Sequence, residues 1–457
     1  MEGFDGSHAS GRFWERHPFL VLVVLALAVR LIIMPFITHD YELYHWALVA
    51  SNIESGSGLY DLRGYFYTPG WGYIIGVMSA VFDFIPGLDV YGDRITELLP
   101  IEDLRFEDHV ATTTTVAFSF MIKIPTVLCD LVVGWLIYSL VRELTGDQRK
   151  SAIASALWFL CPIAIFMAGV QAQFDSFSAL LLLLTIMLVR RDRCFLAGMT
   201  FAAAFLMKFF PVFIFFVLIA YLVVRHREDG RILRSILSSA VGAVFAIVLL
   251  CLPSILEGDL LDTLFFVTSR ADTISDYNAL MEIGSWAMIA VAVAGMFLAG
   301  YRMWRTPSED ADKGLFENVL LALTCSMFAS IMPQYLLVLL PFLIIVIIRS
   351  DPKMVWAWAV LSFAGIMTSV VNGNIMLLDT ATFLGVDPAW VCSVAVWLES
   401  IFIGPFTLIE FLGGTACVIQ VLGLVLILLL MFEGQISGRV PVIGAALSRM
   451  RGWRIIG

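Results

Sequence analysis

Charge is what this sequence has least of. Only 14% of its 457 residues are charged, against about a quarter in an ordinary soluble domain, while 60% are hydrophobic. A water-soluble chain has no interior large enough to hide so much apolar surface, so the composition specifies a polytopic membrane protein. Soluble enzyme folds, nucleic-acid modules and disordered scaffolds are excluded. Alternating apolar and polar residues are also missing; the apolar stretches are continuous, which argues against a membrane β-barrel. The first apolar run lacks a small-residue cleavage signature and reads as a retained helix. There is no clear internal repeat, which weighs against transporter folds built from inverted repeats. Seven cysteines, at 129, 161, 194, 251, 325, 392 and 417, lie mostly inside apolar runs. They read as small buried hydrophobes rather than a disulfide framework.

What is present is a series of apolar segments near 18–37, 113–141, 151–169, 174–189, 194–208, 211–224, 235–253, 284–301, 315–331, 334–348, 354–371 and 413–432. The expected fold is therefore an all-α membrane protein with about twelve transmembrane helices. Pro211 divides the stretch 194–224, because proline interrupts the helical hydrogen-bond ladder. Two further apolar stretches, 70–86 and 388–405, are ambiguous, and charge decides between the threadings. If neither crosses, 21 of the 28 basic residues fall on one side and four (Arg63, Arg94, Arg105 and Arg270) on the other. Arg30, Lys123 and Lys208 lie within or at the ends of spans. The excess of Lys and Arg marks the cytosolic face.

The domain plan that follows has a cytosolic N-terminus (1–17) and a transmembrane module (18–255) carrying a long outer loop, 38–112. A second, variable module (256–432) carries outer loops 254–283 and 372–412, and a basic cytosolic tail (433–457) ends the chain. The first outer loop is strongly acidic and is expected to include interfacial helices. Long ordered loops in compact proteins are usually functional, so chemistry is expected on the outer face.

The sharpest local feature is Thr38-His39-Asp40-Tyr41-Glu42, where the first span ends. A carboxylate at the hydrocarbon rim is costly unless paired or wetted. Asp40 is well placed to take a proton from an acceptor hydroxyl. Asp40 and Glu42 could alternatively bind a divalent cation, or Asp40 could simply cap the following helix. Tyr60 to Tyr73 is dense in aromatic residues, Tyr67 among them, which suit either a headgroup belt or stacking on sugar rings. Gln171-Ala172-Gln173-Phe174-Asp175-Ser176 is a polar turn at membrane level and should face a cavity rather than lipid. Asp175 could cap the helix that follows.

Lys208, before Phe209-Phe210-Pro211, could snorkel to headgroups or grip a lipid phosphate. Arg270 is the only basic residue of loop 254–283, and its planar fork suits a phosphate. Tyr277 continues that loop, and Gln334 stands at the start of the tenth span. Lys123 and Asp130 share a face two turns apart and are expected to satisfy polar neighbours within the bundle, as is Arg30. One acid and two cations at the outer boundary describe glycosyl transfer from a lipid phosphate, the cations stabilising charge on the leaving group.

The order of these motifs resembles the GT-C superfamily of multi-pass glycosyltransferases, in particular mannosyl- and glucosyltransferases that use dolichyl or polyprenyl phosphate sugars. The resemblance runs over roughly 20–285. It rests on His39-Asp40-Tyr41-Glu42, Tyr67-Thr68-Pro69, Lys123 to Leu140 with Asp130, Gln173-Phe174-Asp175-Ser176 and Met207-Lys208-Phe209-Phe210-Pro211. It implies a lipid-phosphate sugar donor used on the non-cytosolic face, with Asp40 as catalytic base of an inverting displacement. Glu42 is implied in a more variable role, and Lys208 and Arg270 beside the donor phosphate. Pro333-Gln334-Tyr335 departs from the His-Glu-Lys of the glucosyltransferases, so the donor sugar is open, with mannose favoured among hexoses.

The expected acceptor is a lipid-linked glycan, a glycolipid or a protein. The expected setting is the cell membrane, with the endoplasmic reticulum as the alternative. Glycolipid transport without transferase chemistry is the competing reading, and a non-catalytic membrane scaffold is a third.

Overall fold

The structure, a computed structural model, describes residues 17–61, 65, 67–86, 94–95, 111–112, 115–258, 279–372 and 376–450, though not every side chain among them, those of Asp40, Tyr41 and Tyr44 being left out. Arg270 and Tyr277 lie outside the described residues.

The described chain is overwhelmingly helical. The first long helix, α1 (Pro18–Ile33), is followed by α2 (Asp40–Glu54) and α3 (Pro69–Asp83). Then come α4 (Val116–Thr145), α5 (Gln148–Phe159), α6 (Pro162–Gly169), α7 (Asp175–Arg190), α8 (Cys194–Met207), α9 (Phe215–Arg225) and α10 (Ile232–Leu250). After the short α11 (Leu252–Glu257) follow α12 (Ala279–Arg305), α13 (Ala311–Ser326), α14 (Leu336–Arg349) and α15 (Val355–Asn372). The C-terminal part holds α16 (Leu378–Phe383), α17 (Pro388–Glu399), α18 (Leu408–Met431), α19 (Glu433–Arg439) and α20 (Pro441–Arg449). Among the described residues, strand structure is confined to two antiparallel two-residue pairs, 94–95 with 111–112 and 402–403 with 406–407.

The boundaries have local causes. Proline occupies the first turn of α1, α3, α6 and α17, where its missing N–H costs nothing. Thr115 caps α4 by accepting from the Phe118 N–H at 3.1 Å, and Gly146, left-handed at φ 69°, ends that helix. Thr407 and Glu410 form a reciprocal capping box on α18.

Each of the twelve apolar segments forms helix. Five described helices are long and apolar enough to cross a membrane unaided, and the pair α5–α6, bent by 53°, makes a sixth. The other segments form shorter helices, so length and apolarity alone support an integral helical membrane protein rather than the full count of twelve. The reason is visible in the breaks: Pro162, Lys208 to Pro211 and Pro333 divide apolar runs into shorter pieces. The ambiguous stretches 70–86 and 388–405 also become helical, as α3 and α17. One face of α3, with Trp71 and Ile75, is buried against Leu43, Trp46 and Val49 of α2 and Phe118 and Met121 of α4. Its other face leaves Val77, Val81 and Phe84 exposed.

The main core is built chiefly from α4 to α9 and α13 to α15, with contributions from α1, α12 and α18; α14 is buried along almost its whole length. Arg190 at the end of α7 bridges Glu143 of α4 at 3.1 Å and Asp312 of α13 at 2.8 Å, drawing three helix ends together. Inside the bundle Arg30 of α1 pairs with Asp130 of α4 at 2.5 Å, both fully buried. Lys123, two turns before Asp130, donates instead to the carbonyls of Met34 (2.6 Å) and Ile37 (3.0 Å).

Helix α10 is only 17% buried over its apolar window and is held by backbone proximity to α8. A β-carbon at Gly198 would stand 1.8 Å from the Ser239 carbonyl oxygen, and one at Gly242 would stand 2.0 Å from that of Phe195. Such close approach is how helices associate where lipid removes the hydrophobic drive. Gly198→Val is therefore expected to lower the melting temperature of the detergent-purified protein, at a cost of about 1–3 kcal/mol from overpacking. Gly414→Ala, in α18 with no atom within 4 Å of the added carbon, should leave it unchanged. Equal melting temperatures for the two variants would refute the backbone contact.

Candidate active site

The site is assembled around Lys208. Pro211 has no N–H with which to reach the Met207 carbonyl, so α8 cannot continue. Lys208 takes an extended conformation (φ −157°, ψ 143°), and a 3-10 turn over Phe210–Ile214 restarts the chain. This turns the side chain inward. Lys208 is 7% exposed, and its Nζ lies 3.0 Å from Oδ2 of Asp175, which is fully buried. Three aromatic rings face the ammonium, with centroids 4.5 Å away for Phe174, 4.9 Å for Tyr335 and 5.8 Å for Tyr67. Each such contact stabilises a desolvated cation by about 0.5–2 kcal/mol. Asp175 takes one of the ammonium's three donors, so the lysine is held in direction and retains capacity for a further anionic acceptor.

Asp175 owes its position to the polar turn 170–174. The turn closes through Gln173 N–H donating to the Met167 carbonyl (2.9 Å) and Gln171 N–H donating to that of Phe166 (3.2 Å). Ala172 within it has φ 52°, a left-handed conformation that alanine adopts at a cost of about 1–2 kcal/mol. The packed surroundings enforce it, since Ala172 is fully buried. Asp175 then opens α7, where a carboxylate also meets the positive end of the helix dipole. Asp175 is the first helical residue rather than the cap, which is Phe174 and makes no side-chain capping bond; its carboxylate serves an ion pair that spacing alone did not reveal.

The aromatic stretch of the first loop forms one wall of the same site. Trp46 meets Tyr67, Trp71 and Phe174 at centroid distances of 5.5–5.9 Å, and Trp71 stacks on Phe174 at 5.4 Å. Tyr65 donates to the Thr68 carbonyl (3.0 Å) and accepts from Gly72 N–H (3.0 Å), which fixes Tyr67 to Gly72. Burial, with Tyr60 beside it, pushes the Tyr65 phenol well above its ordinary pKa, so it remains a donor. Gly70 is required by proximity: a β-carbon there would stand 2.5 Å from Met207 Sδ and 3.0 Å from the Leu206 carbonyl. The start of α3 therefore rests on the end of α8, immediately before Lys208. His45 packs on Trp46 and Tyr67, and burial lowers its pKa, so the imidazole is neutral near pH 7.

Asp40 is the first residue of α2. The preceding residue, His39, directs its N–H to the Val170 carbonyl at 3.4 Å. The start of α2 and the Lys208–Asp175 pair thus border the same turn. Glu42, half-buried, lies on the first turn of α2. Of the nine candidate residues, Lys208 meets Asp175 directly and faces the Tyr67 ring, and Gln173 is buried in the turn beside them. Gln334 is half-buried while its neighbour Tyr335 faces the lysine. Tyr335, Phe174, Trp46 and Trp71 stand inside or beside the motifs read from the sequence but were not named there as site residues. The clue to them was available, because a buried ammonium needs polarisable faces as well as a carboxylate. Among the described residues no group of three or more His, Cys, Asp or Glu side chains is gathered for a metal ion.

Comparison with known proteins bears out the resemblance to polytopic glycosyltransferases. Residues 113–255 match the family model described as dolichyl-phosphate-mannose-protein mannosyltransferase; the matched segment contains both Asp175 and Lys208. Among solved structures, the crystal structure of ArnT from Cupriavidus metallidurans bound to undecaprenyl phosphate aligns with a TM-score of 0.42 and 14% identity. It covers 93% of this chain and 81% of that one. No curated protein matches the chain.

The ion pair has a measurable signature. Removing one partner of a buried pair strands the other charge, so Asp175→Ala is expected to destabilise by about 3–5 kcal/mol. Adding Lys208→Ala should then cost less than its effect alone, with a coupling of about 0.5–3 kcal/mol in a double-mutant cycle followed by thermal unfolding. Strict additivity would show that the two side chains do not interact.

Proposed function

We propose that this chain is a glycosyltransferase that moves a hexose, with mannose favoured, from a polyprenyl or dolichyl phosphate carrier to an acceptor hydroxyl on the extracytoplasmic face. The acceptor is a lipid-linked glycan, a glycolipid or a protein. The observation that carries the reading is the inward-turned Lys208, held by buried Asp175 among aromatic rings, inside the segment that matches a lipid-phosphate-mannose-dependent family.

The chemistry follows from charge. As the acceptor oxygen attacks the anomeric carbon, the bond from that carbon to the phosphate oxygen breaks and negative charge grows on the leaving phosphate. Lys208 stabilises that charge from a low-dielectric setting where solvent cannot screen it. Asp40, at the start of α2, removes the acceptor proton. Attack from the face opposite the phosphate inverts the anomeric centre. Arg270 adds a second cation with a fork suited to phosphate. The tyrosine and tryptophan faces of the first loop suit stacking against sugar rings and the isoprenoid near its phosphate.

The outer placement of the site rests on the basic residues, 21 of which fall on the opposite side in the threading.

The test is turnover of purified protein with polyprenyl phosphate mannose and a mannoside acceptor. Asp40→Asn is expected to lower kcat by about two orders of magnitude or more, the usual contribution of a general base, with unchanged membrane insertion. Lys208→Ala and Arg270→Ala are expected to raise the donor KM. Undiminished turnover of the Asn variant removes Asp40 from the mechanism. A wild-type protein that moves the lipid across liposomes but transfers no sugar makes it a transporter.

A further inference from the structure

The turn that joins α1 to α2 is tied down from three sequence-distant places. From α4, Lys123 donates to the Met34 and Ile37 carbonyls at 2.6 and 3.0 Å, with Thr38 Oγ1 at 3.5 Å. From the polar turn, the Val170 carbonyl receives the His39 N–H at 3.4 Å. From the C-terminal part come the remaining ties. The Thr38 N–H donates to the Met376 carbonyl at 3.2 Å, the Thr380 hydroxyl donates to the Phe36 carbonyl, and the Phe36 and Phe383 rings meet edge-on at 4.9 Å. Asp379, on the same short helix and 7% exposed, supplies the charge opposite to the fully buried Lys123.

Capping the end of α1 would account for one of these ties. Carbonyls released at a helix end need donors, and a lysine can supply them. It does not account for the rest. The anchored groups are consecutive, from Phe36 to His39, and they end where Asp40 begins. A rotation of a few tens of degrees at Thr38 or His39 would swing the following residue through ångströms, because each residue carries two soft dihedrals. Catalytic groups lose about a hundredfold when misplaced by about 1 Å.

We propose that Lys123 and the segment Met376–Phe383 form a clamp that positions Asp40. They are positioning residues, acting through the backbone of the turn rather than by touching substrate. The inference rests on the proposed function for its kinetic consequence but not for its structural one. It gives the chain after residue 372 a part in the reaction, although that region carries no motif of its own.

Thr380→Val tests the clamp most cleanly, because it removes one donor and keeps the side chain's shape. With polyprenyl phosphate mannose as donor and a mannoside acceptor, Thr380→Val and Lys123→Met are each expected to lower kcat about tenfold or more while the donor KM stays within about twofold. Lys123→Arg, which keeps the charge and the donors, should restore part of the rate. Because a smaller folded fraction would also lower apparent kcat at constant KM, rates are compared per folded protein, counted by the amplitude of thermal unfolding.

A second measurement needs no turnover. In a Cys417→Ala, Asp40→Cys background, where the remaining native cysteines are buried, the rate of maleimide alkylation at position 40 reports its placement. Adding Thr380→Val is expected to change that rate about threefold or more. An unchanged alkylation rate overturns the clamp, and so does an active wild type whose Thr380→Val variant keeps its kcat. An inactive wild type with a changed alkylation rate sinks the proposed function and leaves the clamp standing. If Lys123→Met fails to fold, Thr380→Val carries both measurements.

Discussion

A positive charge below the membrane surface must be neutralised where it stands, and this constraint organises the protein. Three cations lie within or at the ends of apolar segments, and each meets it differently. Arg30 takes a carboxylate, Asp130, at 2.5 Å. Lys123 takes the carbonyl dipoles at the end of α1 together with the opposing charge of Asp379. Lys208 takes Asp175 and three aromatic faces. Removing ions from water is expensive, and only close geometry with further hydrogen bonds recovers the cost. The partners in turn fix elements that hydrophobic packing alone would leave free to slide. Arg30–Asp130 locks α1 to α4, Lys123 locks the turn after α1, and Lys208–Asp175 locks the end of α8 to the start of α7.

The same constraint distinguishes structural charge from charge available for chemistry. In the Arg30–Asp130 pair both side chains are sealed at 0% exposure, and the guanidinium also donates to the Phe159 and Ala26 carbonyls. Lys208 is equally well held but differently used. Its aromatic surroundings stabilise positive charge without consuming its donors, so a further acceptor could be met without first breaking the ion pair. A cation oriented before the substrate arrives needs little reorganisation when charge develops on the leaving group.

Much of this was legible from the sequence, for identifiable reasons. Apolar runs located each described helix that is long and apolar enough to cross a membrane, because lipid forces backbone hydrogen bonds to close locally. Pro211 announced the break that aims Lys208, and the expectation that Arg30 and Asp130 have structural partners agrees with their pairing. The unread part consists of contacts between residues far apart in sequence. Nothing near Lys208 indicates Tyr335, which arrives from another helix 127 positions later. Asp175 looked like a helix-terminal residue because that role is visible in a few neighbouring letters, whereas its lysine partner is not. Lys123 shares a face with Asp130 yet does not share its partner, since helix spacing specifies direction and not what waits there. The region after 372 was silent because its ties to the turn after α1 are one backbone carbonyl (Met376), one hydroxyl (Thr380) and one ring (Phe383), which form no motif.

The absent side chain at Gly70 has a consequence of its own. Because the first loop touches the end of α8 through bare backbone, the aromatic wall and the ammonium share one mechanical seat. A single added methyl group, remote from any reacting atom, would be transmitted through Met207 to the residue after it. The seat leaves no room for any side chain at position 70, so the spacing between the first loop and the residue that carries the ammonium is fixed by backbone alone.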